Sequence, residues 1–296
     1  MDTFINGQNA STDEKTITFT EYTSPTGAFH FHHAITKSNN ERLIGPESHC
    51  LFEVLYLIRG NLEYSIEGEH YTVEEGDVIL VSPNEIHSLK IGNDAPYERI
   101  VVMFDIQTLG GVLSEERIPL HDLLFTNFQR FRVIKKEIAE KNKLQDLFSA
   151  IVKNEENKEY AQLAFIADLI RLIIALDKLL VAENASFWKA TTVAPTIKKI
   201  IEYINANIDT PLRLDDIAKY AYVSKSTVCH KFKQDMNISL NRYITIKKIY
   251  RAKELISDGM SAQLASVATG YENYNSFFYN YKKIIGTAPS DDKRKK

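Results

Sequence analysis

The chain has 296 residues, 44% of them hydrophobic and 25% charged, with a formal net charge of −3. This length allows two domains of ordinary size, and the composition excludes a disordered or fibrous protein. The charge is unevenly distributed: residues 195–296 hold 18 Lys+Arg against 10 Asp+Glu, a net charge of +8, whereas residues 1–194 carry −11. This asymmetry predicts a basic nucleic-acid-binding module beside an acidic partner domain.

The two cysteines, Cys50 and Cys229, stand far apart, and neither belongs to a CxxC or Cys/His cluster. This argues against a zinc finger, and we expect two free thiols in a reducing cytoplasm. The first residues lack the basic and apolar regions of a signal peptide, so we expect none. The most apolar stretch, residues 163–181, contains four charged side chains. It is therefore no ordinary membrane span, and we expect no membrane partner.

A polar segment, residues 1–20, is interpreted as a loose arm. Short strand-like patterns follow over residues 22–104, and residues 62–66 alternate between apolar and polar side chains as on a half-buried strand. Turn signals between the patterns stand at Glu67-Gly68 and Gly76-Asp77. Many short strands with closely spaced turns predict an antiparallel sandwich or barrel.

Residues 121–181 change to a helical pattern. Apolar side chains recur on one helical face at Leu163, Ile166, Ile170 and Ile173. Because a small barrel covers such a stripe only in part, we predict that it joins two copies of the chain as a homodimer. Burial against the barrel's own outer face is the alternative. The polar stretch at residues 183–195, around Trp188, is interpreted as a linker, so residues 21–182 form the first domain.

The second predicted domain, residues 196–296, consists of short helices. An amphipathic helix over residues 214–221 is followed by Ser224, a good N-cap for the next helix, residues 224–234. Two short helices joined by a tight turn, the second with a polar face, predict a helix-turn-helix motif.

A long helix over residues 239–256 leads into a second copy of this motif. Its first helix spans residues 262–269, and Gly270 ends it in the left-handed conformation that often follows a helix. Its second helix spans residues 274–284. Two copies in one basic domain favour DNA binding over a plain structural bundle.

Three segments of this domain resemble the DNA-binding domain of the AraC/XylS family: IAKYAYVSKSTVCHKFKQ, YITIKKIYRAKELI and GYENYNSFFYNYKKIIGTAPS. The resemblance implies a sequence-specific transcription regulator rather than an enzyme. The sequence departs from the family pattern where Asn237 replaces Gly, Lys248 replaces Arg, Ala262 and Ala265 replace Ile, and Tyr271 and Tyr281 replace Phe. Asparagine tolerates the left-handed conformation. The small alanines predict a second motif that is less stable or reads DNA less strictly.

The resemblance assigns double-stranded DNA as a partner. Its base-reading positions correspond to Ser226, Cys229 and His230 in the first recognition helix, and to Tyr274, Asn275, Ser276 and Tyr279 in the second. Asparagine can bond bidentately to adenine, and small groups contact thymine methyl groups. Packing is the alternative role for the two tyrosines. Further predicted DNA contacts, mostly to phosphates, are Lys225, Thr227, Lys231, Lys233, Lys282 and Lys283.

The first domain resembles cupins. The first cupin motif is matched by Gly45, Glu47, His49, Glu53 and Gly60, and the second by Gly76, Pro83 and His87. In metal-binding cupins three histidines and one glutamate converge inside the barrel. Here His49, Glu53 and His87 match three of those positions, and Glu47 replaces the first histidine. Barrels fused to this DNA-binding module usually hold organic effectors without metal, so we assign no metal and no cofactor, and a metal at these residues stays an open question.

His30 and His32 alternate with phenylalanines, and on a strand both would lie on one face. An exposed polar face on an edge strand is the alternative. The candidate effector-binding residues are His30, His32, His49, Glu53 and His87. A barrel of this kind suits one small ligand, and these polar groups favour a hydroxyl-rich effector such as a sugar.

The sequence therefore predicts a two-domain regulator: an antiparallel β cupin-like barrel followed by helices, then an all-α double helix-turn-helix domain. Ligand binding is expected to change the packing of the arm and of the linker near Trp188. The alternative is a metal-dependent cupin enzyme fused to a DNA-binding module. The sequence leaves open the effector, the operator, and activation or repression.

Overall fold

The computed structural model of the chain describes residues 15–24, 27–37, 42–92, 96–105, 132–153, 161–182 and 194–292. In these ranges the first domain has the strands β1 (Lys15–Thr23), β2 (Phe29–Lys37), β3 (Arg42–Glu47), β4 (Phe52–Arg59), β5 (Asn61–Ile66), β6 (Glu69–Glu74), β7 (Val78–Val81), β8 (His87–Ile91), β9 (Tyr97–Phe104) and β10 (Val133–Ile134). The half-buried strand predicted at residues 62–66 is β5, whose Leu62, Tyr64 and Ile66 are buried.

The strands form two antiparallel sheets. The larger has the order β1-β2-β9-β4-β7-β10, and the smaller has the order β3-β8-β5-β6. Side chains alternate between the faces of a strand. On β4, Val54 packs with the helices of this domain, whereas Leu55 packs with residues of the smaller sheet. Both faces of the larger sheet are therefore covered, which explains why β7 is apolar and buried at every position. We call the space between the two sheets the barrel interior.

Helices cover the outer face of the larger sheet: α1 (Lys136–Lys141), α2 (Leu144–Lys153) and α3 (Ala161–Ala182). Phe165 of α3 stacks on Phe31 of β2 with ring centroids 5.0 Å apart. The burial of such large rings contributes strongly to the packing of a helix on a sheet. None of the described helices combines the length and apolar character that a membrane crossing requires.

The apolar stripe predicted for dimerisation needs one correction. Ile173 is 2% exposed and packs in the core, whereas Leu163 is 66% and Ile174 is 46% exposed. A helix turns about 100° per residue, so position 174 returns to the direction of position 163 while position 173 turns toward the sheet. With the half-buried Ile166 and Ile170, Leu163 and Ile174 form what we call the outer stripe of α3.

The second domain contains the helices α4 (Pro195–Ala206), α5 (Leu214–Ala221), α6 (Lys225–Met236), α7 (Leu240–Ser257), α8 (Ala262–Ala268) and α9 (Tyr274–Ile285). The first motif is α5–α6, the second is α8–α9, and α7 joins them. The predicted fold class, an antiparallel β domain with helices followed by an all-helical domain, is confirmed.

Three local predictions for this domain are confirmed. The side chain of Ser224 accepts a hydrogen bond from Thr227 N at 3.1 Å, as an N-cap does. Asn237 and Gly270 have φ of 53° and 69°, in the left-handed region. At Gly270 a Cβ would lie 2.9 Å from the backbone oxygen of Thr210, so the position requires glycine for space as well as conformation.

Two boundaries differ from the sequence interpretation. Residues 15–20 of the predicted loose arm belong to β1, because they pair with β2 through backbone hydrogen bonds. Residues 133–134, inside the segment predicted as helical, pair with β7 as strand β10. The rest of the predicted arm, residues 1–14, and most of the predicted linker, residues 183–193, lie outside the described residues.

Candidate effector site and DNA-binding surface

His49, Glu53 and His87 converge in the barrel interior. Glu53 lies on β4, His87 begins β8, and His49 lies in the loop before β4. His49 Nε2 is 2.9 Å from Glu53 Oε2, and His87 Nε2 is 3.9 Å from the same oxygen. One donor atom of each residue lies within 4.8 Å of the other two. We call these three residues the His-Glu-His cluster.

Backbone carbonyl groups fix the orientation of both imidazole rings. His49 Nδ1 is 3.0 Å from Leu51 O, and His87 Nδ1 is 3.0 Å from Glu85 O. Because a carbonyl oxygen only accepts hydrogen bonds, each Nδ1 carries a proton, and each Nε2 faces Glu53. Within the described residues, the buried His87 Nε2 has no hydrogen-bond partner.

Two further residues border the His-Glu-His cluster. The Tyr64 hydroxyl donates to Glu53 Oε1 at 3.3 Å, and its ring stacks on His87 with centroids 6.2 Å apart. Glu47 Oε1 is 3.8 Å from His87 Nε2. No sequence signal distinguishes Tyr64, because the apolar-polar alternation around it is the same for any core tyrosine.

His30 and His32 lie on the same inner face of the larger sheet as Glu53 of the His-Glu-His cluster. His30 pairs with Met103 of β9, and Met103 pairs with Glu53 of β4, so the three side chains point to one side of the sheet. His32, two residues further on, shares that side. β2 lies between β1 and β9, so the edge-strand alternative is wrong.

The five polar residues differ in charge. Burial lowers the pKa of His30, and burial together with the charge of Arg99 lowers the pKa of His32 to about 3. Burial also opposes charge on His49, but the hydrogen bond and the attraction of Glu53 outweigh it and raise the pKa of His49. Burial works against ionisation of Glu53 too, yet the contact with His49 lowers its pKa to about 2. The neutral pair His30 and His32 thus lies beside the charged pair His49 and Glu53.

The turn Glu67-Gly68 between β5 and β6 docks on the second domain. The Glu67 carboxylate accepts hydrogen bonds from the Tyr243 hydroxyl and from Lys247 Nζ, the latter at 3.0 Å. A Cβ on Gly68 would lie 2.7 Å from Met236 Sδ at the end of α6. The first domain therefore contacts both α6 and α7.

The loops that hold the two cluster histidines take part in the same domain contact. Asn84 N donates to His49 O at 2.7 Å, and Asn84 O accepts from Lys247 Nζ at 3.0 Å. The Tyr250 hydroxyl donates to Ser48 O, next to His49. The sequence did not predict this contact between the barrel loops and α7, because it joins residues more than a hundred positions apart.

The predicted contacts on the first recognition helix, α6, point away from the core. Val228 and Phe232 are buried on its inner face. The predicted residues Lys225, Ser226, Cys229, His230 and Lys233 are exposed, and Thr227 is half-buried. The position of α6 thus leaves these polar groups accessible to a large partner.

The second recognition helix, α9, shows the same division. Phe277 and Tyr281 are buried, whereas Asn275, Ser276, Tyr279, Lys282 and Lys283 are exposed. Tyr274 is half-buried, with its ring centroid 5.7 Å from that of Phe277, which supports packing as its role. The Tyr281 hydroxyl donates to Asp292 Oδ2 at 2.6 Å. The hydroxyl group that this tyrosine adds, where the family pattern has phenylalanine, therefore has a hydrogen-bond partner.

Family comparisons agree with this division into two domains. A model described as an AraC-like ligand binding domain matches residues 33–173, and one described as a helix-turn-helix domain matches residues 217–295. The chain belongs to the AraC family of transcription regulators. As an AraC-family protein, it is a DNA-binding transcription regulator with a ligand-binding domain.

This AraC-family chain aligns with most of the length of three curated relatives, all of which are named as regulators. The chain is 24% identical to the uncharacterized HTH-type transcriptional regulator YdiP of Escherichia coli K12, over 82% of this chain and 78% of the relative. It is 20% identical to the XylDLEGF operon transcriptional activator 1 of Pseudomonas putida, over 88% and 80% of the two chains. It is also 20% identical to the Msm operon regulatory protein of Streptococcus mutans, over 88% and 90%.

Among solved structures, ToxT from Vibrio cholerae is 13% identical, with a TM-score of 0.37, over 89% of this chain and 96% of that chain. An AraC-type DNA-binding domain from Chromobacterium violaceum is 26% identical, with a TM-score of 0.32, over 33% of this chain and 89% of that chain.

Proposed function

We propose that one small hydroxyl-rich molecule, such as a sugar, controls this AraC-family regulator by binding in the barrel interior. The supporting observation is that His30 and His32 share the inner face of the larger sheet with Glu53 of the His-Glu-His cluster, amid apolar side chains such as Leu55 and Val101. A few convergent polar groups in an apolar enclosure give a binding site its orientation and specificity. Neutral histidines and a carboxylate supply both donors and acceptors for hydroxyl groups.

The test is thermal unfolding of the full chain with a panel of sugars and sugar acids. A ligand that binds only the folded state raises the melting temperature. One compound is expected to stabilise the wild type and to stabilise His49→Ala less. The control, His230→Ala on α6, keeps the full response. Equal affinity for variants that lack His49, Glu53 or His87 would place the effector site elsewhere.

We infer that both recognition helices read DNA. Recognition helices about 34 Å apart enter successive major-groove segments on one side of the duplex. The exposed polar side chains of α6 and α9 support this assignment, and the basic second domain supports binding to phosphates.

Binding-site selection with the full chain tests the base readers. His230→Ala and Asn275→Ala should each cost about 1–3 kcal/mol at one base position. The control is Gln263→Ala, an exposed residue of α8 outside both recognition helices. If neither reader variant changes the selected sequence, the assignment of readers is wrong. If the full chain binds no DNA at low salt, the proposal of specific DNA reading fails.

We also propose a homodimer formed by the outer stripe of α3. Its exposed Leu163 and Ile174 support a partner surface, since apolar residues in a continuous stripe gain from burial. Ile174→Glu should shift the full chain to monomers in light scattering. The control is Leu264→Glu, 61% exposed in the second domain, which should leave the mass unchanged. A wild-type chain that is monomeric at micromolar concentration contradicts the dimer.

A further inference from the structure

Arg99 of β9 brings a positively charged guanidinium group to the inner face of the larger sheet. The backbone of Arg99 pairs with Ala34 of β2 on one side and with Leu57 of β4 on the other. Residues that pair across neighbouring strands point to the same side of a sheet, and Leu57 packs in the core between the two sheets. The side chain of Arg99 therefore points into the barrel interior.

Neighbouring side chains orient this guanidinium group. Arg99 Nη1 donates to the Thr36 hydroxyl at 2.9 Å, and Thr36 Oγ1 is in turn 3.1 Å from Thr16 Oγ1. Arg99 Cζ lies 4.6 Å from the centroid of the Tyr97 ring. Both Thr36 and Tyr97 are buried, so their own positions are fixed by packing. A charged group that is already oriented loses less conformational freedom when it binds a ligand.

The charge of Arg99 acts on the groups around it. Burial, together with this charge, lowers the pKa of His32 to about 3, so a second positive charge is disfavoured beside Arg99. The same positive potential favours a negative charge at that place. Glu53 lies four residues further along the sheet and is paired with His49 Nε2 at 2.9 Å. The inner face thus has a charge-balanced pair toward one end and a guanidinium group toward the other.

We propose that the effector is a hydroxylated carboxylic acid, such as a hexuronic or an aldonic acid, and that Arg99 binds its carboxylate in the barrel interior. The inference deepens the proposed function: it rests on the barrel interior as the effector site and narrows the hydroxyl-rich molecule to an anion. A guanidinium group binds a carboxylate through two parallel, charge-assisted N–H···O hydrogen bonds. A hydroxyl group of a neutral sugar offers neither the negative charge nor the second oxygen.

The spacing of the polar side chains suits such a molecule. Along β9, Met103 pairs with His30 and Val101 pairs with His32, and Arg99 follows as the next residue on the same face. Alternate residues of an antiparallel strand are about 6.8 Å apart. A six-carbon acid with its carboxylate at Arg99 therefore places its hydroxyl groups beside His32 and toward His30. A neutral imidazole can both donate a hydrogen bond to a hydroxyl group and accept one from it.

Calorimetric titration of the full chain with matched neutral and acidic sugars tests the proposal. The pairs are galactose with galacturonate, glucose with glucuronate, and glucose with gluconate. At least one acid is expected to bind at least about 10-fold more tightly than its neutral partner, because hydrogen bonds between charged groups are stronger than those between neutral ones. Sodium chloride at the same ionic strength is titrated in parallel, so that the effect of the salt is subtracted.

Variants of Arg99 identify the group that binds the carboxylate. Arg99→Gln should weaken binding of the acid about 100-fold, because it removes the charge and the paired hydrogen bonds. Arg99→Lys keeps the charge but loses the paired geometry, and should weaken binding about 10-fold. The control is Arg59→Gln, which removes an exposed arginine at the end of β4 and should leave the affinity unchanged. If Arg99→Gln does not fold by circular dichroism, Arg99→Lys and Thr36→Val carry the test, the latter with an expected loss of about 5-fold.

The outcomes separate this inference from the proposed function. A neutral sugar that binds more tightly than its acid, or an acid that binds Arg99→Gln as tightly as the wild type, overturns the carboxylate assignment and leaves the barrel interior as the effector site. An acid that loses affinity in Arg99→Gln but not in His49→Ala supports the carboxylate assignment and counts against the His-Glu-His cluster as part of the site. If neither acids nor neutral sugars bind, the hydroxyl-rich effector and its carboxylate are both wrong.

Discussion

The two helix-turn-helix motifs are built alike but are supported differently. The first motif belongs to a large core that also contains Ile86 of the barrel, helix α4, and Tyr243 and Tyr250 of α7. The second motif has a small core, made of Ile249, Ala252, Ile256, Ala265, Phe277 and Tyr281. No described residue of the first domain belongs to that small core.

This difference predicts the route by which ligand binding in the barrel would reach the DNA-binding helices. The barrel holds the first motif directly, through the Glu67-Gly68 turn and the loop around Asn84. The second motif is joined to the barrel through α7, whose side chains Lys247 and Glu254 also meet the barrel, and its residues Ile284 and Ile285 also pack against the first core. We therefore expect a movement of the loops beside His49 and His87 to reach the first motif before the second, and so to change the spacing of the two recognition helices.

The largest expected effect comes from the two core phenylalanines. Phe277→Ala and Phe232→Ala should each cost about 3–5 kcal/mol of stability, because each ring is fully buried. In hydrogen exchange, Phe277→Ala should loosen α8 and α9 alone, whereas Phe232→Ala should also loosen the barrel turn at Glu67. If both variants increase hydrogen exchange over the same regions, the two motifs are not supported differently.

Gly270 and Gly259 test the junction of α7 with the second motif. Both have a left-handed φ, of 69° and 103°, but only Gly270 is crowded, since a Cβ there would lie 2.9 Å from Thr210 O. Gly270→Ala should cost about 3 kcal/mol, and Gly259→Ala about 1–2 kcal/mol from conformation alone. Chemical denaturation of the full chain measures both. Similar losses would mean that backbone conformation, not space, decides the cost.

Lys247→Met tests whether the first motif depends on the barrel contact. The change removes hydrogen bonds to Glu67 and Asn84 and should cost about 2 kcal/mol. An effector found by thermal screening should then alter DNA affinity less than in the wild type. Lys253→Met on the same helix is the control. If the effector acts equally on both variants, the signal travels by another route, such as the arm and linker.

Helix caps give the smallest expected effect. Ser224 caps α6, and Asn273 caps α9 by accepting hydrogen bonds from Asn275 N and Ser276 N at 2.8 and 3.2 Å. Alanine at either cap should cost about 1 kcal/mol. Because the second core is smaller, Asn273→Ala should weaken DNA binding more than Ser224→Ala does at equal loss of stability. Binding assays on DNA that carries the sites of both recognition helices measure the loss of affinity in each variant. Equal losses in the two variants would contradict the expected difference.

The second domain was predictable because its signals are local. Ser224, Asn237 and Gly270 mark helix ends through chemistry that acts within a few residues. The strands of the barrel were predictable for the same reason, since alternation along β5 reflects one buried face. Ile173 was wrongly placed in the dimer stripe. The apolar face of α3 is wider than one stripe, and its sequence does not reveal which side of that face packs against the sheet.

The candidate site was only partly predictable. The cupin resemblance placed His49, Glu53 and His87 in one interior, but the role of Tyr64 and the direction of each ring nitrogen depend on the packing of distant strands. The contact between Glu67 and α7 is a long-range pairing of surface-type residues. Such pairs leave no periodic pattern in a single sequence. The arrangement of the two domains therefore becomes visible only in the structure.

The turn at Glu67-Gly68 also limits how this protein can be re-engineered. Biosensor construction often grafts one ligand-binding domain onto another DNA-binding module. Here Gly68 has a left-handed φ of 79°, and a Cβ there would lie 2.7 Å from Met236 Sδ, so another residue would carry backbone strain and displace the Met236 side chain. We expect a donor barrel with another residue at the position of Gly68 to fit this joint less well and to weaken the link between the two domains. A hybrid should therefore transplant the turn together with Met236 and Ile197 as one matched unit.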